Sequence, residues 1–472
     1  MIGSSLGICS LFVICGNVLG LTRTTLSPPF SGDDIQSGDL LWRLAQLSRS
    51  DSGPLSLNSM SMQVLASLDN DDEQDADTRS ILEINQKEGV DSYLLEGDIR
   101  LSSEQLSRLE RNLLNETRQK RQADKTVALW ANNKIFYYFD DSVGPRRRRL
   151  VRKTLAYLSA RTCLDFVENG TYTNRIRVFF GNGCYSSIGM TGGEQDLSLG
   201  KGCYTMGTVA HEFMHALGVW HMHMRDDRDD YISVDLSGVP PRSRYNYEKL
   251  FTESSINYTP YEYGSVMHYD AQSFAYHGYI SLVPKEAKYL RTMGSQMVSF
   301  LDIMMVNVHY NCSGHCANNS TNCTNGGVPS PRNCDECICP SGYGGRLCDQ
   351  KAKGCGSTLK ATSKWTSETF AVGDSSTDEL RESYSLCNHW IQAPNGKKIQ
   401  IRVQRLKGVS CMHGCWKQAI EPKVLIDQRI INPRICCPGQ LNRVLTSANN
   451  PTAIVSYNNQ RRSTFTFQYR FV

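Results

Sequence analysis

The chain has 472 residues, 40% of them hydrophobic and 21% charged. At about 150 residues per domain this length predicts roughly three domains, and the composition excludes a wholly disordered polymer, a collagen or a multi-span membrane protein. The net charge of +4 hides a gradient: residues 21–121 hold 11 Lys+Arg against 18 Asp+Glu, residues 122–312 hold 20 against 19, and residues 313–472 hold 20 against 10.

Residues 1–20 carry no Asp, Glu, Lys or Arg, and the stretch from Ile8 to Leu21 is mostly apolar, with small residues near Val18-Leu19-Gly20. This reads as a signal peptide over 1–20, too short for a bilayer span of about 20 apolar residues. No later stretch is apolar enough to cross a membrane, so no span is expected. Cysteine usage agrees with export. Of 18 cysteines, Cys9 and Cys15 lie in the apolar stretch, four fall in 163–312, six in 316–348 and six in 355–437. Even, dense clusters predict disulfide frameworks and therefore a secreted, extracellular protein. A zinc-finger reading needs paired CxxC modules, and Cys334-x-x-Cys337 stands alone at the wrong spacing. Asn-x-Ser/Thr sequons begin at Asn115, Asn169, Asn257, Asn311, Asn318, Asn319 and Asn322. The crowding of four in 311–324 predicts a glycosylated surface.

Residues 21–121 are acidic, lack cysteine and include Asp69-Asn70-Asp71-Asp72-Glu73; most of this stretch is expected to be loosely structured. It ends at Arg118-Gln119-Lys120-Arg121, a multibasic sequence that predicts a pro-segment over 21–121 with cleavage after Arg121. A second basic run, Arg146 to Arg149, follows Pro145, and Val151, Leu155 and Leu158 recur at helical spacing. Those arginines are expected on the wet face of an amphipathic helix. Neither run suggests a nucleic-acid partner in a secreted, disulfide-rich chain.

The most informative stretch is His211-Glu212-Phe213-Met214-His215-Ala216-Leu217-Gly218-Val219-Trp220-His221. Residues four apart share a helix face, so His211 and His215 can present imidazoles to one Zn²⁺. Glu212 then lies beside the metal and can take a proton from zinc-activated water. Gly218 can adopt a left-handed conformation that turns the chain back and brings His221 in as third ligand. Val209, Phe213 and Leu217 give the helix an apolar side. His223 reads as an ordinary surface histidine. Downstream, Ser265-Val266-Met267-His268-Tyr269 predicts a tight turn whose Met267 floors the site, with His268 not a ligand.

With these motifs, residues 122–312 resemble the astacin family of secreted zinc endopeptidases, an α+β metzincin fold. Arg225-Asp226-Asp227-Arg228-Asp229 is similar to the family's Arg-x-Asp-Arg-Asp continuation. The resemblance implies one zinc per chain on His211, His215 and His221, with Glu212 as base and Tyr269 as an extra ligand that swings away to help the oxyanion. It also implies bridges Cys163–Cys312 and Cys184–Cys203. Asp98, in Leu95-Glu96-Gly97-Asp98-Ile99, is similar to the pro-segment aspartate that occupies the zinc in the latent enzyme, although the family's pattern opens with Phe. After the third histidine the family has Glu, which holds the new N-terminus of the mature enzyme; here it is Met222, so that anchoring is not carried over.

Six cysteines, from Cys316 to Cys348, and the turn glycines Gly342 and Gly345 make residues 313–350 resemble an EGF-like module. Six cysteines allow fifteen pairings; only Cys339–Cys348 is carried forward. From Cys355 the pattern alternates, as in Ile399, Ile401, Val403 and in Phe465, Phe467, Tyr469, Phe471. It predicts half-buried antiparallel strands, hence a sandwich. Residues 355–472 resemble a CUB domain, with Cys355–Cys387 as its opening bridge; Cys411 and Cys415 are expected to join Cys436 and Cys437 in an order left open. This part holds 16 Lys+Arg against 7 Asp+Glu, either a solvated face or a surface for acidic glycans or matrix proteins. The chain is thus read as a secreted zinc endopeptidase, made as a latent precursor and acting on extracellular or matrix proteins and peptides. The alternative is a catalytically inactive matrix-binding or signalling protein that uses its EGF-like and CUB-like modules.

Overall fold

The computed structural model describes residues 79–107, 128–249, 257–316, 321–374 and 379–472. The apolar leader, the multibasic sequence ending at Arg121, and the sequons at Asn115, Asn318 and Asn319 lie outside the described residues. Where 21–121 was expected to be loose, residues 79–107 are folded onto the protease-like domain. Helix α1, Ile81–Glu88, begins with a reciprocal capping box between Ser80 and Glu83 and ends at Gly89 in the left-handed conformation, satisfying donors and acceptors at both ends. It buries Leu82, Ile84 and Asn85. The chain then reaches strand β1, Ile99–Arg100.

Five further strands, β2 (Lys134–Phe139), β3 (Asp165–Glu168), β4 (Arg175–Phe179), β5 (Cys184–Ser187) and β6 (Glu194–Leu199), join β1 in one sheet of order β1-β5-β6-β4-β2-β3. Pairing is parallel except between β5 and β6. Strand β1 therefore sits on the outer side of β5, with Ile99 opposite Ser186. Helix α2, Pro145–Ser159, starts on Pro145 and buries Leu150, Val151, Leu155 and Leu158. Of the basic run, Arg146 and Arg149 are exposed. Arg147 instead stacks over Phe180 and Tyr204.

Helix α3, Met206–Ala216, is buried along nearly its whole length. Val209, Phe213 and Leu217 enter a core with Ile135, Val178 and Leu197 of the sheet. A second core, rich in tyrosine (Tyr247, Tyr261, Tyr263, Tyr269, Tyr289), holds Met222 and Leu82. A two-stranded ribbon, β7 (Ile232–Val234) with β8 (Leu282–Pro284), lies in this half. Helix α4, Phe300–His309, closes the domain, and Cys163–Cys312 and Cys184–Cys203 are both bonded.

The next module is small and held by Cys316–Cys334, Cys323–Cys337 and Cys339–Cys348. Its strands are β9 (Val328–Ser330), β10 (Asn333–Ile338), β11 (Tyr343–Gly344) and β12 (Gln350–Lys351), in two ribbons. The C-terminal part is a sandwich of two four-stranded sheets, as its alternating pattern requires. One contains β13 (Thr358–Lys360), β15 (Ser385–Gln392), β19 (Thr452–Asn458) and β17 (Gln418–Pro422); the other contains β14 (Thr366–Val372), β20 (Ser463–Phe471), β16 (Ile399–Lys407) and β18 (Leu445–Thr446). Ile399, Ile401, Val403, Phe465, Phe467 and Tyr469 form its core. Cys355–Cys387 opens it, and the late cysteines pair as Cys411–Cys437 and Cys415–Cys436. The whole is a multidomain chain: an α+β protease-type domain, a disulfide-rich EGF-like module and an all-β CUB-like sandwich.

Candidate metal centre

Helix α3 places His211 and His215 one turn apart. Gly218, at φ +93°, reverses the chain so that His221 returns to them, a conformation that a side chain would strain. The carbonyls at the helix end are all used: Trp130 Nε1 donates to Ala216 (2.8 Å), Tyr310 Oη to Leu217 (3.1 Å) and Gly189 N to His215 (2.8 Å). The helix end is thus fixed, and its two imidazoles with it.

The three rings converge. His211 Nε2 is 3.0 Å from His215 Nε2 and 3.2 Å from His221 Nε2. Their Nδ1 atoms point away: His211 Nδ1 donates to Val266 O and His215 Nδ1 to Val219 O, each at 2.8 Å. With Nδ1 carrying the proton, Nε2 of His211 and His215 offers a lone pair. Lone pairs about 3 Å apart repel one another unless a cation joins them. Asp98 Oδ2 lies 3.1 Å from His211 Nε2 and 3.2 Å from His221 Nε2, and Oδ1 lies 3.5 Å from His215 Nε2. Ligands about 2.0–2.1 Å from a tetrahedral zinc stand about 3.3–3.4 Å apart. The four donors therefore fit that ion.

Glu212 is completely buried, and both its carboxylate oxygens are without a hydrogen-bond partner. Burial and the neighbouring Asp98 charge push its pKa well up. Asp98 goes the other way: burial raises its pKa, but the surrounding imidazoles, His221 foremost, win and hold it well below the carboxylate range. Tyr269 stacks on His223 at 3.8 Å, and its hydroxyl donates to the carbonyl of Glu96. Met267 is fully buried in the first core, and its carbonyl accepts from Met222 N at 2.8 Å. His268 turns away, bonded to Tyr261 Oη at 2.7 Å.

Residues 122–311 match the peptidase family described as Astacin. Zinc metalloproteinase nas-32 of Caenorhabditis elegans is 43% identical over 399 residues, 83% of this chain and 60% of that protein. Zinc metalloproteinase nas-17 of the same organism is 39% identical over 84% of this chain and 90% of its own length. The chain belongs to the astacin family. Of solved structures, the medaka hatching enzyme high choriolytic enzyme 1, a zinc-protease, is 31% identical, covering 39% of this chain and 93% of that one at a TM-score of 0.37. The chain spans less than two thirds of the length of nas-32 and of nas-31, which it matches over 60% and 65%. One zinc ion per chain is the cofactor of an astacin.

In this astacin three participants escape a reading of the sequence. His223, expected at the surface, is fully buried between His221 and Tyr269; alternation around a ligand said nothing about the tyrosine arriving from 46 positions downstream. Glu96 Oε2 lies 2.5 Å from His221 Nδ1, while Asn246 Oδ1 accepts from its backbone N–H at 2.9 Å. Nothing distinguishes it in sequence from the acidic residues around it. Asp302 accepts from Ser265 Oγ (2.5 Å) and Val266 N (3.0 Å) while capping α4 through Ser299 N (2.8 Å). Ser299-x-x-Asp302 is a visible capping signal, but its grip on the methionine turn is not. Met222, in place of the family's Glu, is buried, with Arg225 Nη1 3.8 Å from its sulfur.

Proposed function

We propose that the chain is a secreted zinc endopeptidase held latent by its own pro-segment, and that His211, His215 and His221 hold the ion. The observation that carries this reading is the convergence of three imidazole nitrogens and one carboxylate, with an unpartnered buried glutamate on the same helix. When bound, the ion acts as a Lewis acid at the scissile carbonyl. Glu212, with no competing partner, takes the proton of the attacking water and delivers it to the leaving amine. The hydroxyl of Tyr269, once freed from Glu96, donates to the developing oxyanion. The free edge of β5 offers backbone groups for an extended peptide once β1 has left it.

Latency rests on the tripeptide Glu96-Gly97-Asp98. Asp98 fills the fourth ligand position, the carbonyl of Glu96 occupies the Tyr269 hydroxyl, and the Glu96 carboxylate takes His221 Nδ1. Cleavage after Arg121 separates this segment from the domain. The protein substrates are extracellular, in keeping with eight disulfides among the described residues.

The test is peptide hydrolysis by chain cut after Arg121. Glu212→Ala should keep the fold and the metal and lose about 10²–10⁴-fold in rate, the usual contribution of a general base. Activity within threefold of the parent would assign the proton transfer elsewhere. Zinc-replete, correctly cut chain with no hydrolysis of any protein or peptide would support the inactive, module-based alternative.

A further inference from the structure

The outer sheet of the C-terminal sandwich carries a row of cations that no carboxylate among the described residues pairs. On β16 and β20 the inward positions are Ile399, Ile401, Val403, Phe465, Phe467 and Tyr469. The register therefore puts Gln400 opposite Arg470, Arg402 opposite Gln468, Arg405 opposite Thr466 and Lys407 opposite Thr464 on the other face. On β14 Ser367 and Thr369 extend the same face beside Gln468 and Thr466. At about 3.3 Å per residue the row from Gln400 to Lys407 is roughly 20 Å long.

Two of these cations are held in place by an aromatic ring. Arg402 and Arg470 lie over Trp365, with guanidinium carbons 4.5 and 4.6 Å from its centroid. Arg402 Nε and Nη2 both donate to Gln468 Oε1, at 2.9 and 2.6 Å, and Arg470 Nε donates to Gln400 Oε1 at 2.9 Å. These bonds fix the side chains but neutralise neither. Among the described residues no carboxylate lies within ion-pair distance of Arg402, Arg405, Lys407 or Arg470, whereas Arg429 and Lys423 of the same domain have Asp427 and Glu421. The acid of this sheet, Glu368, pairs in register with Phe467 and so shares the inward face.

We propose that this face binds a sulfated polysaccharide. Fixed guanidiniums are fitted to sulfate oxygens, and because they are already ordered they lose little side-chain entropy on binding. The surrounding Ser367, Thr369, Thr464, Thr466, Gln400 and Gln468 supply hydroxyls and amides suited to sugar hydroxyls. The face is a polar sheet surface with one aromatic ring and a register shift between Val403 and Arg405, not the cluster of apolar anchors that a tight protein partner uses. A linear anion laid along the strands satisfies the row; a compact one does not. The site is separate from the metal centre, so it would place the protease on a polyanionic matrix without touching the chemistry.

The test uses the full chain on immobilised heparin. Arg402→Gln with Arg470→Gln should weaken binding at least tenfold and reduce the slope of log affinity against log salt by about two, the counterions those residues release. A charge-matched control, Arg146→Gln with Arg149→Gln on α2, removes two exposed arginines from the densest basic run and should change affinity less than twofold. Peptide hydrolysis should be the same in all variants. If the double variant does not fold, Arg405→Gln with Lys407→Gln, both at exposed positions, carries the same expectation. Equal losses in the sheet and α2 variants would overturn the proposal in favour of diffuse attraction. So would undiminished binding of the sheet variant, or binding of desulfated heparin, polyglutamate or single-stranded DNA as tight as that of heparin.

Discussion

At the scale of the residue, each imidazole of the metal centre has a second bond that fixes it, and two of the three bonds go to backbone carbonyls. Val266 and Val219, which serve His211 and His215, follow the proposed cleavage site at Arg121; Glu96, which serves His221, precedes it. Removing two ligands at once leaves the chain cut after Arg121, and freed of Asp98, a single imidazole and no chelate. His215→Ala with His221→Ala should therefore abolish bound zinc, measured by elemental analysis of the purified cut chain; one zinc per chain in that variant would place the ion elsewhere. Asp98→Ala tests the ligand that, in the proposed scheme, only the uncut chain has. Uncut precursor carrying it should hydrolyse peptide detectably, and should do so at high salt, where general attraction between the acidic segment and the basic remainder is screened. If the uncut variant stays silent while cleavage at Arg121 still activates it, occlusion of the cleft is the whole of latency.

At the scale of the element, the two signals that located the site were local. The spacing of His211, His215, Gly218 and His221 contains both the helix and its end, and strand alternation contains the sandwich, because each depends on residues within a few positions. What could not be read are the arrivals from a distance. Glu96 meets His221 across 125 positions and Tyr269 across 173, and no periodicity reports such a meeting. Asp302 is the clearest example, because it connects two elements. One oxygen holds Ser265, and the other holds Val266 and the first turn of α4, so the carbonyl on His211 is aimed by a helix cap 36 residues away. Asn at this position replaces one acceptor by a donor. Asp302→Asn should lower the melting temperature through a lost buried hydrogen bond of about 1–3 kcal/mol. It should also weaken zinc retention about 10–100-fold, the usual effect of disturbing a ligand's support. A chelator-competition assay reads the second effect separately from the first. Unchanged retention would mean that Val266 is held by the turn alone.

At the scale of the molecule, the C-terminal sandwich is seated on the protease-type domain. Arg434, almost wholly buried, donates from Nη1 to Ser295 Oγ (2.6 Å) and from its backbone N–H to Thr292 Oγ1 (3.0 Å). Ile431 packs on Gly264, and its N–H donates to Glu262 Oε2 at 3.0 Å. The EGF-like module is fixed from both sides: Arg332 reaches Asp165 and the carbonyl of Ser159, and Trp390 Nε1 donates to Gly342 O. The three parts should therefore unfold together. Glu262 lies within three residues of the methionine turn at this seat, and burial pushes its pKa up from 4.5 to about 8. A carboxyl raised on folding favours the folded state fully below its unfolded pKa. That contribution is lost as pH rises through the folded value. Thermal stability should consequently fall between about pH 4.5 and 8, and Glu262→Gln, which cannot ionise, should flatten that decline. A variant whose melting temperature tracks the parent at every pH would show that Glu262 is not the group responsible.

In the proposed scheme, the way residues 79–107 lie against the domain gives activation two clocks. Their hold does not depend on the peptide bond at Arg121. Leu82, Ile84, Val90, Leu94, Ile99 and Leu106 are all buried, each worth about 1.5–3 kcal/mol. Asn85 meanwhile grips both backbone groups of Cys184, donating to its O and accepting from its N, each at 2.7 Å. A cut starts the first clock and leaves this grip untouched; only departure of the fragment starts the second. In that scheme the fragment holds the edge of β5 proposed for the substrate, so while intact it competes as a product inhibitor. Activity after cleavage should then rise with a lag, to a final level per molecule that increases on dilution. In a crowded compartment the protein would be cut well before it was free to act.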